Sequence, residues 1–217
     1  MTEVRRDLLA ACRAMEAARL SPGTSGNLSA REGNGFWITP SGVPYDALDI
    51  EMMVLMDLEG GGEAWEGRLK PSSEWRFHLD IYRARPETGG ICHTHSLNAT
   101  ALATRREGIP AFHYMVAAAG GRDIRCAPYR TFGTQELSDA ALEALEDRKA
   151  CLLGNHGVIA LGDTVEKALK LAQEVENLAA QYILACQLGG PAILSDREMD
   201  TVLEKFRTYG QQPATED

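Results

Sequence analysis

Five histidines occur in the 217-residue chain, and three stand where a backbone could aim them together. His93 and His95 belong to a His-Thr-His triplet in an apolar stretch that reads as a strand. Side chains at i and i+2 of a strand share a face, so the two imidazoles project side by side. His156 stands in Gly154-Asn155-His156-Gly157, a tight turn between two apolar runs. Three neutral imidazoles suit a zinc ion with an open coordination position, while an isolated HxH also serves simply to pack or hydrogen-bond. In Lys70-Pro71-Ser72-Ser73-Glu74-Trp75 the Ser72 and Ser73 hydroxyls stand beside the free N–H groups of a helix start. That arrangement binds anions, with Glu74 next to whatever is bound; the same tripeptide is also an ordinary capped helix start. Gly23–Ser29 and Thr39–Gly42 mix small hydroxyl residues with glycines, so they are either loops whose amides approach a phosphate closely or plain turns. Neither GxxxxGK[ST] nor GxGxxG is present, which excludes those nucleotide sites. Tyr114, a phenol with an ordinary pKa of about 10, is either a proton donor to an alkoxide or a half-buried aromatic. There is no GxSxG elbow, and the five cysteines, without a CxxC pair, sit in apolar contexts as reduced core residues.

The elements that must position these groups follow from periodicity. Val4, Leu8, Ala11, Cys12 and Met15 recur at helical spacing and predict a helix over 3–20, ended by a glycine-rich stretch. Segments 28–31 and 36–39 flank Glu32-Gly33-Asn34-Gly35, a hairpin turn, and 54–58 reads as another strand. Pro71-Ser72-Ser73 predicts a helix start running to about Arg83, followed by a strand over 91–95 and a helix over 98–106. A strand over 124–127 and a helix over 136–147 precede two strands, 150–153 and 158–161, that bracket His156. Asp163-Thr164-Val165-Glu166 opens a long helix ending at Gly189, and Ser195-Asp196-Arg197-Glu198 opens a last one to about Tyr209. Strand pairs close in sequence among irregularly spaced helices predict a mixed or antiparallel sheet covered by helices, α/β or α+β. One domain over 1–210 with a fraying tail over 211–217 accounts for the whole chain.

Composition narrows the class. At this length a chain buries about 70% of its unfolded surface, and 44% hydrophobic residues supply the material for a core. Thirty-one acidic against 22 basic residues give a net charge of −9, which argues against a nucleic-acid partner. An anionic substrate must therefore be held by a local site rather than drawn in by the overall field. No apolar run reaches the ~20 residues a membrane span needs, and the charged first residues carry no signal core, so a cytoplasmic protein without a membrane partner is expected.

Each motif is short, but their order along one chain is distinctive. Gly-Thr-Ser-Gly-Asn, Thr-Pro-Ser-Gly, Pro-Ser-Ser-Glu-Trp-Arg-Phe-His, His-Thr-His, His-Tyr-Met-Val-Ala-Ala-Ala-Gly-Gly and Gly-Asn-His-Gly resemble the class II sugar-phosphate aldolase/epimerase family, from about residue 5 to Tyr209. The resemblance implies a three-layer αβα fold around a largely antiparallel sheet and one Zn2+ per subunit on His93, His95 and His156. Glu74 would be the acid/base residue that can also approach the metal. Thr24, Gly26, Asn27, Ser41, Gly42, Ser72 and Ser73 would bind the substrate phosphate. Tyr114 would reach the site of a neighbouring subunit in a homotetramer, and Tyr209 would assist from near the C-terminus. The implied reaction is cleavage of a 1-phospho-2-ketose, foremost L-fuculose 1-phosphate, to dihydroxyacetone phosphate and an aldehyde. Alternatives within the family are 5-deoxyribulose or methylthioribulose 1-phosphate aldolases, a methylthioribulose-1-phosphate dehydratase and an L-ribulose-5-phosphate 4-epimerase. The epimerase branch carries an acidic residue just after the histidine matching His113, where Tyr114-Met115 stand here. A non-catalytic module like the adducin head shares the fold, and the intact histidines and Glu74 speak against it. Thr94 and Asn155 depart from the fuculose branch beside the metal ligands, so they bear on the substrate rather than on the metal.

Overall fold

Alternation within the strands decides the architecture. In the computed structural model, which describes residues 3–60 and 65–208, the strands are β1 (Asn27–Glu32), β2 (Gly35–Ile38), β3 (Val54–Asp57), β4 (Trp65–Glu66), β5 (Gly90–Thr94), β6 (Arg125–Ala127), β7 (Ala150–Leu153) and β8 (Gly157–Gly162). Leu28, Cys92, Leu152, Val158 and Ala160 point to one side of the sheet, and Ile91, Cys151, Leu153, Ile159 and Leu161 to the other. Both faces are apolar, so both must be covered. The first is packed by α1 (Glu3–Ala17), α3 (Leu97–Ala103), α5 (Val165–Gln187) and α6 (Asp196–Phe206), through Leu8, Met15, Leu102, Val175 and Met199 among others. The second is packed by α2 (Trp75–Ala84) and α4 (Gln135–Ala144), through Phe77, Ile81, Leu137 and Ala141. The result is the expected helix–sheet–helix arrangement. Its eight strands run in the order β4-β3-β2-β1-β5-β8-β7-β6, antiparallel at every pairing except β6–β7.

Several boundaries differ from the periodicity, each for a local reason. α2 begins at Trp75, not at Pro71, because the preceding residues extend the sheet instead. Ser72 N donates to Thr39 O at 3.0 Å, Ser41 N donates to Lys70 O at 3.1 Å, and Pro40 bridges Pro71. α1 stops at Ala17, with Arg19 in the left-handed region (φ 56°), and β5 ends at Thr94, one residue before His95. Thr164 caps α5 through Lys167 N but forms no capping box, whereas Ser195 and Glu198 form one at α6. The two-residue β4 has no periodic signature. Tyr209 and the 211–217 tail lie outside the described residues.

The β7–β8 turn approaches β5 so closely that only glycine fits at position 157. A Cβ there would lie 2.3 Å from Thr94 O, 3.0 Å from His95 Cδ2 and 3.3 Å from His93 Cε1. Gly157→Ala is expected to lower stability by about 1–3 kcal/mol, as overpacking does, and to spread the histidines apart. Urea unfolding checks the first effect and metal titration of the folded variant the second; wild-type values in both would show that the turn has room to spare.

Candidate metal centre and active site

Three elements bring three imidazoles and a carboxylate to one point on the α2 face of the sheet. His93 is on β5, His95 follows it, and His156 is in the turn that leads into β8. Their ring centroids are 4.9 Å apart in all three pairs. Glu74 stands at the start of α2, where its side chain caps nothing in the helix and turns toward the histidines. One ligand atom from each of Glu74, His93, His95 and His156 lies within 4.8 Å of the others. After His95 the chain turns into α3, whose Ser96 makes no capping bond; Glu176 of α5 accepts from Asn98 N and Ala99 N, both at 2.9 Å, instead.

The hydrogen bonds assign the protons. His93 Nδ1 lies 2.8 Å from the Val158 carbonyl, which can only accept, so the neutral ring carries its proton there. Its bare Nε2 then faces His95 Nε2 at 3.0 Å and Glu74 Oε2 at 3.1 Å. Glu74 Oε1 is buried without a hydrogen-bond donor and lies 3.1 Å from His156 Nε2. Acceptors aimed at one another in a largely buried cluster suit a bound cation, and a nitrogen-rich set with one carboxylate fits a divalent ion of the zinc type. Burial first, then His93 and His156, push the His95 pKa down to about 3 against the pull of Glu74, so its imidazole is neutral and ligand-competent. Burial alone would favour a protonated Glu74; His93 and His156 outweigh it and hold the carboxyl well below the usual range.

A cavity of about 330 Å³ opens beside this cluster. Thr24, Gly26, Asn27, Ser41, Gly42, Ser72 and Ser73, the seven residues singled out for anion binding, all line it together with Glu74, His95 and His156. The loops are tied to the sheet from below. Gly26 N donates to Ser21 Oγ at 2.6 Å, and the Tyr45 hydroxyl donates to the Gly26 carbonyl. A Cβ on Gly26 would meet Ser21 Oγ at 2.5 Å and the His93 carbonyl at 2.7 Å, so the Gly26 loop and β5 share a contact that admits no side chain.

Six further residues line the cavity that motif reading did not single out as site residues: Ser25, Pro40, Tyr129, Arg130, Phe132 and Asn155. Phe132 is 63% exposed and Tyr129 45% exposed, large aromatics left in water beside an active-site opening. An aromatic in the glycine- and threonine-rich 131–134 loop was the available signal. Asn155 adopts φ 54°, which asparagine tolerates, and its Oδ1 accepts from Arg106 Nε at 2.7 Å. Tyr114 does not line this cavity; it begins a short 3-10 turn and is 47% exposed. Tyr209 lies outside the described residues.

Behind Glu74 runs a buried polar chain. Asn27 Nδ2 donates to Glu74 Oε2 at 3.0 Å, and Asn27 Oδ1 lies 2.5 Å from His78 Nε2. His78 Nδ1 lies 2.7 Å from Ser29 Oγ, which is 2.9 Å from the Tyr82 hydroxyl.

Residues 6–183 match the family described as Class II Aldolase and Adducin N-terminal domain. The chain belongs to that family. It is 53% identical over 207 residues to a 5-methylthioribulose-1-phosphate/5-deoxyribulose-1-phosphate aldolase of Rhodospirillum rubrum, covering 95% of this chain and 92% of the relative. It is 47% identical over 209 residues to an L-fuculose phosphate aldolase of Escherichia coli, covering 96% of each. A solved L-fuculose 1-phosphate aldolase superposes with a TM-score of 0.91 at 40% identity, covering 95% of this chain and 97% of that one. With relatives of this kind and the histidine–carboxylate cluster complete, the chain is an aldehyde-lyase rather than a non-catalytic module. Among the described residues no helix is long and apolar enough to cross a membrane.

The buried His78 gives the metal-free protein a defined pH dependence. Burial foremost, with His93 adding and Glu74 opposing, pushes its pKa from 6.5 down to about 3. Between those values the unfolded chain binds a proton that the folded chain refuses, so stability is full above 6.5 and falls as the pH drops toward 3. The slope approaches about 1.4 kcal/mol per pH unit for one such group. Urea unfolding from pH 7.5 to 4.5 is expected to show this slope reduced in His78→Gln; an unchanged slope would assign the acid sensitivity to other groups.

Proposed function

We propose that this protein is a zinc-dependent class II aldolase that reversibly cleaves a 1-phospho-2-ketose into dihydroxyacetone phosphate and an aldehyde, with L-fuculose 1-phosphate the foremost substrate. The observation that carries the reading is one cavity lined by all seven anion-binding candidates and by Glu74, His95 and His156. His93, His95 and His156 would hold the ion, with Glu74 approaching it when no substrate is bound. When bound, the ion supplies Lewis acidity to the ketose oxygens and to the negative charge that develops as the C3–C4 bond breaks.

The chain's own residues do the rest. Thr24, Gly26, Asn27, Ser41, Gly42, Ser72 and Ser73 bind the phosphate and thereby fix carbons 1 to 3 beside Glu74, converting binding into positioning. In cleavage the C4 hydroxyl gives up its proton, the C3–C4 electron pair stays on C3, and Glu74, having taken up a proton, delivers it to C3, so the proton lost at C4 is balanced by the one gained at C3. In condensation Glu74 removes that proton, the task of an ionised carboxylate. Tyr114 exchanges the C4 hydroxyl proton from the neighbouring subunit of a homotetramer, a role in keeping with its distance from its own cavity and its 47% exposure. Tyr209 assists, and the enzyme works in the cytoplasm. A second reading, a 5-methylthioribulose or 5-deoxyribulose 1-phosphate aldolase, is favoured by the relative at 53% identity and by the aromatic rim of Tyr129 and Phe132. A methyl or sulfur difference in an aldehyde pocket is worth only ~1–3 kcal/mol, so related substrates would share the site with graded efficiency.

Two measurements test the reading. Dialysis against a chelator is expected to abolish cleavage and stoichiometric zinc to restore it; full turnover by protein verified metal-free would overturn metal dependence. Release of dihydroxyacetone phosphate is expected from the three 1-phosphates but not from L-ribulose 5-phosphate, with the order of kcat/KM naming the preferred aldehyde. In the same assay Glu74→Gln is expected to lower kcat by ~10²–10⁴ with metal retained. Rapid epimerisation of L-ribulose 5-phosphate without triose release would replace the aldolase with an epimerase.

A further inference from the structure

The polar chain behind Glu74 has only one arrangement of protons. An ionised carboxylate can only accept, so Asn27 must present Nδ2 to Glu74 Oε2, at 3.0 Å. Its Oδ1 then faces His78, 2.5 Å away, and needs a donor, which places the imidazole proton on Nε2. The bare Nδ1 accepts from Ser29 Oγ at 2.7 Å, and Ser29 Oγ accepts in turn from the Tyr82 hydroxyl at 2.9 Å. His78 and Ser29 are fully buried, and Tyr82 and Asn27 are 1% and 2% exposed. Reversing the Asn27 amide would set its oxygen against the Glu74 carboxylate, so the imidazole tautomer decides which end of the amide Glu74 meets.

The placement follows from matched repeats. Glu74, His78 and Tyr82 are spaced i, i+4, i+8 at the start of and along α2, and they rise ~6 Å per step. Asn27 and Ser29 are i, i+2 on β1 and rise ~6.7 Å per step. The two rows keep step, so each helix group meets a strand group. Phe77 stacks on His78 with centroids 4.6 Å apart and fixes the ring plane.

We propose that His78 is a positioning residue: through the Asn27 amide it sets the orientation of the Glu74 carboxylate that exchanges a proton with the substrate. The proposal rests on the acid/base reading of Glu74. The Asn27 Nδ2 hydrogen not given to Glu74 remains uncommitted in the cavity, so one amide joins the carboxylate to the phosphate loop.

The test uses zinc-loaded protein labelled with 15N in its imidazoles. The His78 signals, assigned by their loss in His78→Gln, are expected to report a bare Nδ1 and a protonated Nε2. His78→Phe is expected to lower kcat on the best 1-phosphate by ~10–100-fold with zinc content unchanged, the usual range for partners behind a reacting group. KM should stay within about threefold, because six of the seven phosphate-binding residues make no contact with His78. His78→Gln, which keeps an N–H donor toward Asn27, is expected to recover most of kcat. An Nδ1-protonated tautomer, a wild-type kcat in folded His78→Phe, or no recovery in His78→Gln would each overturn the proposal. Should His78→Phe not fold, Ser29→Ala and Tyr82→Phe remove single links; unchanged tautomer signals and kcat in both would overturn it equally. Glu74→Gln in the same assay separates the two readings. Wild-type kcat there removes Glu74 as the acid/base group, whereas an inactive Glu74→Gln beside a fully active His78→Phe removes the positioning role alone.

Discussion

Glu74 is a carboxylate taken out of water, 5% exposed, and much of the site follows from keeping it charged. An ionised carboxylate moved into a protein interior loses several kcal/mol of hydration unless other groups replace it. Three segments distant in sequence meet it here: Asn27 at the start of β1 donates to it, while His93 and His95 at the end of β5 and His156 from the β7–β8 turn stand against it. Those segments must be in register for the set to close. Asn27 lies opposite His93 in the β1–β5 pairing, and His93 lies opposite Ile159 in β5–β8. A slip of one residue in β5 would send His93 to the far face, where α5 packs, and bring Thr94 in its place. The site is therefore also a checkpoint on the sheet that builds it.

The same constraint explains why a polar row runs through an otherwise apolar layer. α2 covers the sheet with Phe77, Leu79, Ile81 and Tyr82, all buried. It reserves the 74, 78 and 82 positions for groups that complete hydrogen bonds. A buried network of this kind is costly when one member is missing and rigid when all are present. Every link has a partner here, so the row costs little and specifies one seating of the helix on β1. Arg31 extends it at the far end, with Nη2 donating to the Tyr82 carbonyl at 2.6 Å.

Much of this was legible in the sequence where the signal was local. The triplet His93-Thr94-His95 announced a shared face, and His156 in the turn before the neighbouring strand β8 adds a third imidazole to it. The hairpin after β1 and the capping box at Ser195 were read from residue types and appear in place, although the turn residues are Gly33-Asn34 and the cap of α5 is Thr164, one residue after Asp163. What could not be read depends on partners remote in sequence. Pro71-Ser72-Ser73 carries every mark of a helix start, yet the Thr39 carbonyl claims Ser72 N and delays the helix by one turn. His78 looks like any helical histidine until Asn27 and Ser29 are placed beneath it. Tyr129 and Phe132 sit in loops, where no period says which way a ring faces.

The two halves of the cavity differ in how they are anchored, and that difference bears on which parts can vary. The anion side is built on backbone: Gly26 packs against the His93 carbonyl, Ser41 and Ser72 are held by the bonds that join residues 39–41 to 70–72, and Tyr45 ties the Gly26 carbonyl down. A substitution there displaces main chain that also carries His93 or Glu74, so this side of the cavity and the histidine–carboxylate cluster change together or not at all. The opposite rim is built from side chains: Tyr129 and Phe132 stand in solvent, and the Arg106–Asn155 pair reaches across the surface. Arg106 lies over the Tyr129 ring at 5.9 Å and also donates to Asn155 beside His156, so that ring is tied to the turn behind it. Replacing Phe132 would alter the surface at the cavity mouth while the side built on backbone keeps its geometry, so the two sides of one scaffold can vary separately.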